Sequence, residues 1–248
     1  MITTAVIMAA GLGTRFGHYT ESIPKGFVEI LGESMIVRSI KTLLYCGIKR
    51  IIIGTGYKKE AYEALREEFP MLETCFSPRY AETNSMYTLY NMRELIGHDD
   101  FILLESDLIF DSCAIKSLLQ CRHKDALLVA SITKFQDQYY VEANDEGILT
   151  NCSTNKEEVN VKGEFVGIHK LSNGFFTKMC AHYSDIVKEE PRLGYEYELL
   201  YMSNNVSPLY VHVAENIKWY EIDDEADLRY AEENIAPYCR IDLLHDEY

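Results

Sequence analysis

Between Thr3 and Phe110 the chain alternates two kinds of segment, and that alternation restricts its possible folds more than any other feature. The runs "TTAVIMAA", "IKRIIIGTG", "LETCF" and "DFILLESDLIF" are short and apolar, as buried strands are. Between them, "ESMIVRSIKTLLYCG", "KKEAYEALREEF" and "SMYTLYNMREL" carry apolar residues at helical spacing, and Gly47 closes the first of these helices. Strand, helix, strand in succession predicts βαβ units, hence an α/β protein whose Rossmann-like, mostly parallel mixed sheet is flanked by helices. From Ala126 the rhythm changes. "ALLVASIT", "QYYVEA" and "EFVGIHKL" are strand-like and separated by the short polar turns "NDEG" and "VKGE", which predicts a small antiparallel β insertion. The chain continues with helical "NGFFTKMCAHYSDIVKEE" and "EYELLYMSNN", strands "LYVHV" and "IKWYEI", and helical "DEADLRYAEENI". With no internal repeat and no linker, one domain is expected over residues 1–248, residues 126–170 forming a β-rich portion within it.

Composition narrows the partners. A formal charge of −15 opposes binding to long stretches of nucleic acid, which needs clustered Lys and Arg, so any anion must be held by a local site. The apolar runs are too short or too glycine-interrupted to span a bilayer, and no basic segment precedes the first. Seven scattered cysteines, without C-x-x-C or zinc spacing, predict free thiols in a reducing cytoplasm. A homodimer and fusion to a further enzyme domain are both compatible with this reading.

The segment after the first strand, "AAGLGTRFGHYTESIPKG", is the chemically informative one. A glycine-rich turn leaving a parallel strand lets backbone N–H groups approach an anion, a use that suits Gly11 and Gly13. A dinucleotide fingerprint would need Gly at position 16, where Phe16 stands, and no G-K-S/T follows to make a P-loop. Arg15 and Lys25 add a fork and a point charge, a pairing suited to a polyphosphate.

The string "AAGLGTRFGHYTESIPKGFVEILGESMI" resembles the signature of the sugar-phosphate and choline-phosphate nucleotidyltransferases: A-A-G-x-G-x-R, then Thr20, Pro24-Lys25 and Gly32 in their places. The resemblance implies the nucleotidyltransferase fold, of GT-A-like type, and a loop wrapped around a nucleoside triphosphate. It implies that Met8, Ala10, Gly11, Gly13, Thr14, Arg15 and Lys25 contact the nucleotide, Arg15 neutralising the leaving pyrophosphate and Lys25 the phosphate under attack. "YAETNSMYTLY" resembles the segment around base and ribose, which brings in Thr83, Asn84 and Ser85. "LLESDLIF" resembles the strand with a metal-binding aspartate, Asp107, and "WYEIDDEADL" the strand with a second ligand, Asp223.

Asp107 closes a buried strand, the end that faces the ligand crevice in an open α/β sheet, and Mg²⁺ favours such hard carboxylate oxygens shared with phosphate and water. Glu221 and Asp224 are rivals to Asp223, which could also cap the last helix. The implied chemistry is nucleotidyl transfer with Lys25, Arg15 and Asp107 as its catalytic set. The attacking phosphate or phosphonate oxygen is already anionic near neutral pH, so no general base is required. Size and the "YAETNSMYTL" segment resemble most the small enzymes that join CTP to phosphocholine or 2-aminoethylphosphonate. A cationic acceptor head needs carboxylates, aromatic faces or both. Phe135, Asp137 and Tyr139, with Glu196 and Glu198, are the candidates. Tyr139 stands where related choline enzymes carry tryptophan, which favours a primary ammonium. A sugar-1-phosphate nucleotidyltransferase and a regulatory nucleotide-binding module without turnover remain the alternatives.

Overall fold

The computed structural model describes residues 2–134, 138–239 and 241, apart from the side chain of His18. In chain order, β1 (Thr4–Ala9) leads into a 3₁₀ segment (Thr14–Thr20) and a single 3₁₀ turn (Lys25–Phe27). The two-residue strands β2 (Glu29–Ile30) and β3 (Glu33–Ser34) pair before α1 (Met35–Tyr45). Then follow β4 (Arg50–Thr55), α2 (Lys59–Ala64), β5 (Leu72–Phe76), α3 (Ser85–Asn91), α4 (Arg93–Ile96), β6 (Phe101–Glu105), β7 (Leu108–Phe110) and α5 (Ser112–Gln120). The second half holds β8 (Ala126–Ala130), β9 (Tyr140–Ala143), β10 (Leu149–Ser153), β11 (Gly163–Leu171), α6 (Asn173–Ile186), α7 (Tyr195–Asn205), β12 (Tyr210–Val213), β13 (Trp219–Glu221) and α8 (Glu225–Asn234).

The main sheet runs β10-β9-β11-β6-β1-β4-β5, with β8 pairing both β11 and β12. β6, β1, β4 and β5 are parallel, whereas β11 is antiparallel to β6, β8 and β9, so the expected β-rich insertion is an antiparallel extension of the same sheet. Alternation along each parallel strand builds two cores. Ala5, Ile7 and Ala9 of β1, with Ile51 and Ile53 of β4, face α1, α2 and α5; Val6 and Met8, with Ile52, face α3, α6 and α7. A third cluster joins Phe16 of the glycine loop and Val28 to Ile109, Tyr220, Ile222, Leu228 and Ala231, and so docks α8 beside that loop.

Three boundaries differ from the sequence reading. "DFILLESDLIF" is two strands: β6 belongs to the main sheet, while β7 pairs with β13, and the chain turns at Ser106–Asp107 between them. "KKEAYEALREEF" is helical only to Ala64 and tightens into a 3₁₀ turn at Leu65–Glu67. "SMYTLYNMREL" divides at Met92 into α3 and α4. Among the described residues no helix is long and apolar enough to cross a membrane.

Candidate active site

β1, β4 and β6 end at Ala9, Thr55 and Glu105 on one side of the sheet, and loops leaving those ends surround a cavity of about 680 Å³. Met8, Ala10, Gly11, Gly13, Thr14, Arg15, Lys25, Thr83, Asn84 and Ser85 all line it, together with Glu105, Asp107, Arg192 and Glu196. The glycine loop is braced from within. The Thr20 hydroxyl donates to the Gly13 carbonyl at 2.8 Å, the Phe16 amide donates to the same oxygen at 3.1 Å, and Phe16 itself is buried. Gly13 has φ +65°. Asn84 caps α3 by accepting the Ser85 amide at 2.8 Å, which orients the first turn of that helix at the cavity.

Charge is concentrated at one end. The Lys25 ammonium donates to Asp107 Oδ2 at 2.6 Å and to Asp223 Oδ1 at 2.8 Å, and the Arg15 guanidinium reaches the same Asp223 oxygen at 2.8 Å. Pairing of β13 with β7, and the Ile222 amide donating to the Asp107 carbonyl at 3.0 Å, bring residues 107 and 223 together across 116 positions of sequence. Burial works against the Lys25 ammonium, but Asp107 and Asp223 outweigh it and raise its pKa. Burial likewise opposes ionisation of Asp223, yet Lys25, Lys134 and Arg15 hold its carboxyl below the usual range. The helix cap that the sequence allowed for Asp223 belongs instead to Asp224, which accepts the Ala226 and Asp227 amides.

For the neighbouring carboxylates Glu105, Glu196 and Glu221, burial prevails, joined by like charge at Glu105 and Glu221, even though Lys25 and Lys134 act on Glu221. Glu105 Oε1 accepts the Tyr195 hydroxyl at 2.7 Å, and burial with Asp107, Glu221 and Glu196 nearby pushes its pKa well up. Burial moves Glu196 up to about 7. Burial, with Asp107 and Asp223 adding to it, moves Glu221 up to about 8. Oxygens of Glu105, Asp107 and Glu221 lie within 4.8 Å of one another. Behind Tyr195, His169 Nε2 lies 3.1 Å from its hydroxyl in a fully buried position.

Sequence reasoning missed Glu105, Lys134 and Arg192. The repeated E-x-D of "LLESDLIF" and "WYEIDDEADL" was the available signal for Glu105, since alternate strand positions share a face. Lys134, largely buried, reaches Asp227 Oδ2 at 2.9 Å and Asp223 Oδ2 at 3.4 Å. Two acceptor candidates are placed away from the cavity lining. Glu198 is fully buried with its Oε1 2.8 Å from His182 Nδ1 on α6, and Tyr139 packs edge-on against Tyr197, hydroxyls 3.2 Å apart. Phe135 and Asp137 lie outside the described residues.

A parallel-sheet crevice with a glycine loop, two cations and two aspartates on facing strand ends defines an α/β protein of the nucleotidyltransferase class. The profile of the MobA-like NTP transferase domain matches residues 5–170, and the chain belongs to that family. It is 34% identical over 107 residues to 2-aminoethylphosphonate cytidylyltransferase of Lancefieldella rimae, covering 43% of this chain and 44% of the relative. It is 38% identical over 94 residues to choline-phosphate cytidylyltransferase of Streptococcus pneumoniae, covering 38% and 41%. Both matches span less than half of the relative's length. The solved structure of CTP:phosphocholine cytidylyltransferase from Streptococcus pneumoniae superposes with a TM-score of 0.77 at 24% identity, over 94% of this chain and 99% of that one, which shows the shared fold.

Proposed function

We propose that this chain is a CTP-dependent cytidylyltransferase that joins CMP to a small amino-alkyl phosphonate or phosphate, 2-aminoethylphosphonate in first place, and releases pyrophosphate. The observation that carries the reading is a cavity that gathers one group of cations and backbone donors, from the glycine loop, Arg15 and Lys25, and a second group of carboxylates, Glu105 and Glu196. The first group suits a triphosphate and the second an ammonium. The names of the two curated relatives support CTP and an acceptor of this kind.

In this reading the loop amides and Arg15 bind the β- and γ-phosphates, and Lys25 stabilises charge on the α-phosphoryl group as the acceptor oxygen attacks and pyrophosphate departs. Asp107 and Asp223 converge on one ammonium at 2.6 and 2.8 Å, so their hard oxygens fit a shared divalent ion. When bound there, Mg²⁺ would neutralise phosphate charge. Glu196 would receive the acceptor ammonium. A primary ammonium is favoured over trimethylammonium because Tyr139 and Tyr197 pack edge-on against each other outside the cavity lining, whose tyrosines are Tyr62, Tyr80 and Tyr195.

Pyrophosphate release tests this directly. CTP should outperform UTP, ATP and GTP, 2-aminoethylphosphonate should outperform phosphocholine and phosphoethanolamine, and chelation with EDTA should abolish turnover. Lys25→Ala at saturating substrates should lower kcat about 100-fold or more, as loss of a transition-state charge contact does elsewhere. Turnover with all four nucleotides alike, or Lys25→Ala near the parent rate, would overturn the assignment.

A further inference from the structure

The Lys25 ammonium occupies the space between the two aspartates that the proposed function gives to a divalent ion. It is 2.6 Å from Asp107 Oδ2 and 2.8 Å from Asp223 Oδ1, with only about an eighth of its side chain exposed. Arg15 shares Asp223 Oδ1 with Lys25, but an ion bridging Asp107 Oδ2 and Asp223 Oδ1 would have to stand where the Lys25 ammonium stands, and a further cation packed against it in so poorly solvated a site would be strongly repelled. We propose that Lys25 and the divalent ion exclude each other from the Asp107–Asp223 pair, so that the ion enters only as Lys25 moves off to a triphosphate. This rests on the reading of those aspartates as metal ligands.

Asp223 is built for such an exchange. Its Oδ1 faces Lys25 and Arg15, while Oδ2 is turned to Lys134, 3.4 Å away. Lys134 is tied in turn to Asp227, which also accepts the Asp223 amide at 2.9 Å and the Tyr220 hydroxyl at 3.1 Å. The hydrogen bond from the Asp223 amide to Asp227, which does not involve Lys134, keeps the residue in place when the ammonium leaves its front. Lys25 has a destination within the same cavity, whose lining it shares with the glycine loop and Arg15. Gly13 packs closely against the base of that side chain, an added Cβ there lying 3.0 Å from Lys25 Cβ, so the loop and Lys25 are neighbours in the cavity wall. The consequence is a linked order: the triphosphate recruits Lys25, and the freed aspartates recruit the ion, so neither the bare ion nor the bare nucleotide completes the site.

The test is Mn²⁺ binding to the whole protein without nucleotide, followed by electron paramagnetic resonance, in the parent, Lys25→Met and Lys134→Met. Exclusion predicts that Lys25→Met binds Mn²⁺ at least tenfold more tightly than the parent. Lys134→Met removes an equal charge near Asp223 without opening the space between the aspartates, and should differ from the parent by less than threefold. Lys25→Gln, with a neutral donor retained for Asp107, is the second variant should Lys25→Met fail to fold, and it should tighten Mn²⁺ binding in the same direction. Equal affinities for parent and Lys25 variants, or equal tightening in the Lys25 and Lys134 variants, would overturn the exclusion while leaving the metal ligands intact. Failure of the parent and all variants to bind Mn²⁺ would remove the metal reading itself, and the inference with it.

Discussion

Gly11 and Gly13 look interchangeable in the string "AAGLGTR", yet the structure asks different things of them. Gly13 has φ +65°, and an added Cβ would lie 3.0 Å from Lys25 Cβ and 3.2 Å from Thr20 Cγ2. Gly11 has no such φ, and an added Cβ there would meet nothing within 4 Å. Gly13→Ala should therefore cost about 1–2 kcal/mol of stability through backbone strain. By displacing Lys25 and the Thr20 brace it should also raise the KM for CTP about tenfold, roughly the effect of losing one charge-assisted contact. Gly11→Ala should leave stability within about 0.5 kcal/mol, as an unhindered surface change does. Thermal melts and initial rates on the two variants check both statements. The glycines, Arg15 and Lys25 were legible because the loop's chemistry is carried by contiguous sequence. Which glycine is obligatory was not, since the dihedral is imposed by Thr20 and Phe16 closing onto the Gly13 carbonyl.

At the scale of an element, α7 shows why a helix read from sequence leaves open which of its glutamates faces the cavity. Residues two apart on a helix point away from each other. Glu196 lines the cavity, while Glu198 is buried against His182, whose ring stacks on Tyr201 at 3.8 Å. The rotation of the helix that decides this is set by Tyr195, Leu199 and Met202 packing into the core, a tertiary fact that "GYEYELLY" does not contain. Glu198→Ala should then destabilise the protein by about 1–3 kcal/mol, the cost of a lost hydrogen bond to the partly exposed His182 and of the space left by a fully buried side chain, with the acceptor KM unchanged. Glu196→Gln should do the reverse, raising the acceptor KM about tenfold at nearly constant stability, in line with loss of a single charged contact to a ligand. If both variants changed the acceptor KM alike, the division of roles along α7 would be wrong. The turn at Ser106–Asp107 is a similar case. The alternation of elements predicted the parallel core, and Glu105, Ser106 and Asp107 break the apolar run "DFILLESDLIF" at the turn itself, but a polar interruption does not say that the chain crosses there to a second sheet.

Across the whole molecule, acidification has opposing effects that individual side chains can separate. With a formal charge of −15 at pH 7, taking up protons relieves self-repulsion and favours the compact state. Glu196 adds to this: its pKa is raised to about 7 by burial, so its stabilising contribution is full below about 4.5, the ordinary value, and is lost as pH rises through 7. His169 works the other way. It is fully buried behind Tyr195, its Nδ1 has no partner, and burial drives its pKa down to about 3. A group whose folded pKa is depressed contributes stability that is full above its unfolded value, about 6.5, and erodes as pH falls toward the folded one. Between pH 6.5 and 5 that erosion amounts to about 2 kcal/mol, or roughly 4–8 °C in Tm for a chain of this size. Comparing the parent with His169→Gln cancels the shared charge effect, because both carry the same carboxylates. The variant should start from a lower Tm at pH 7.5, having lost its ring packing, but should lose several degrees less than the parent on acidification to pH 5. Parallel Tm profiles for the two proteins would mean that His169 charges in the folded state without penalty, and that the interior behind Tyr195 is open to water.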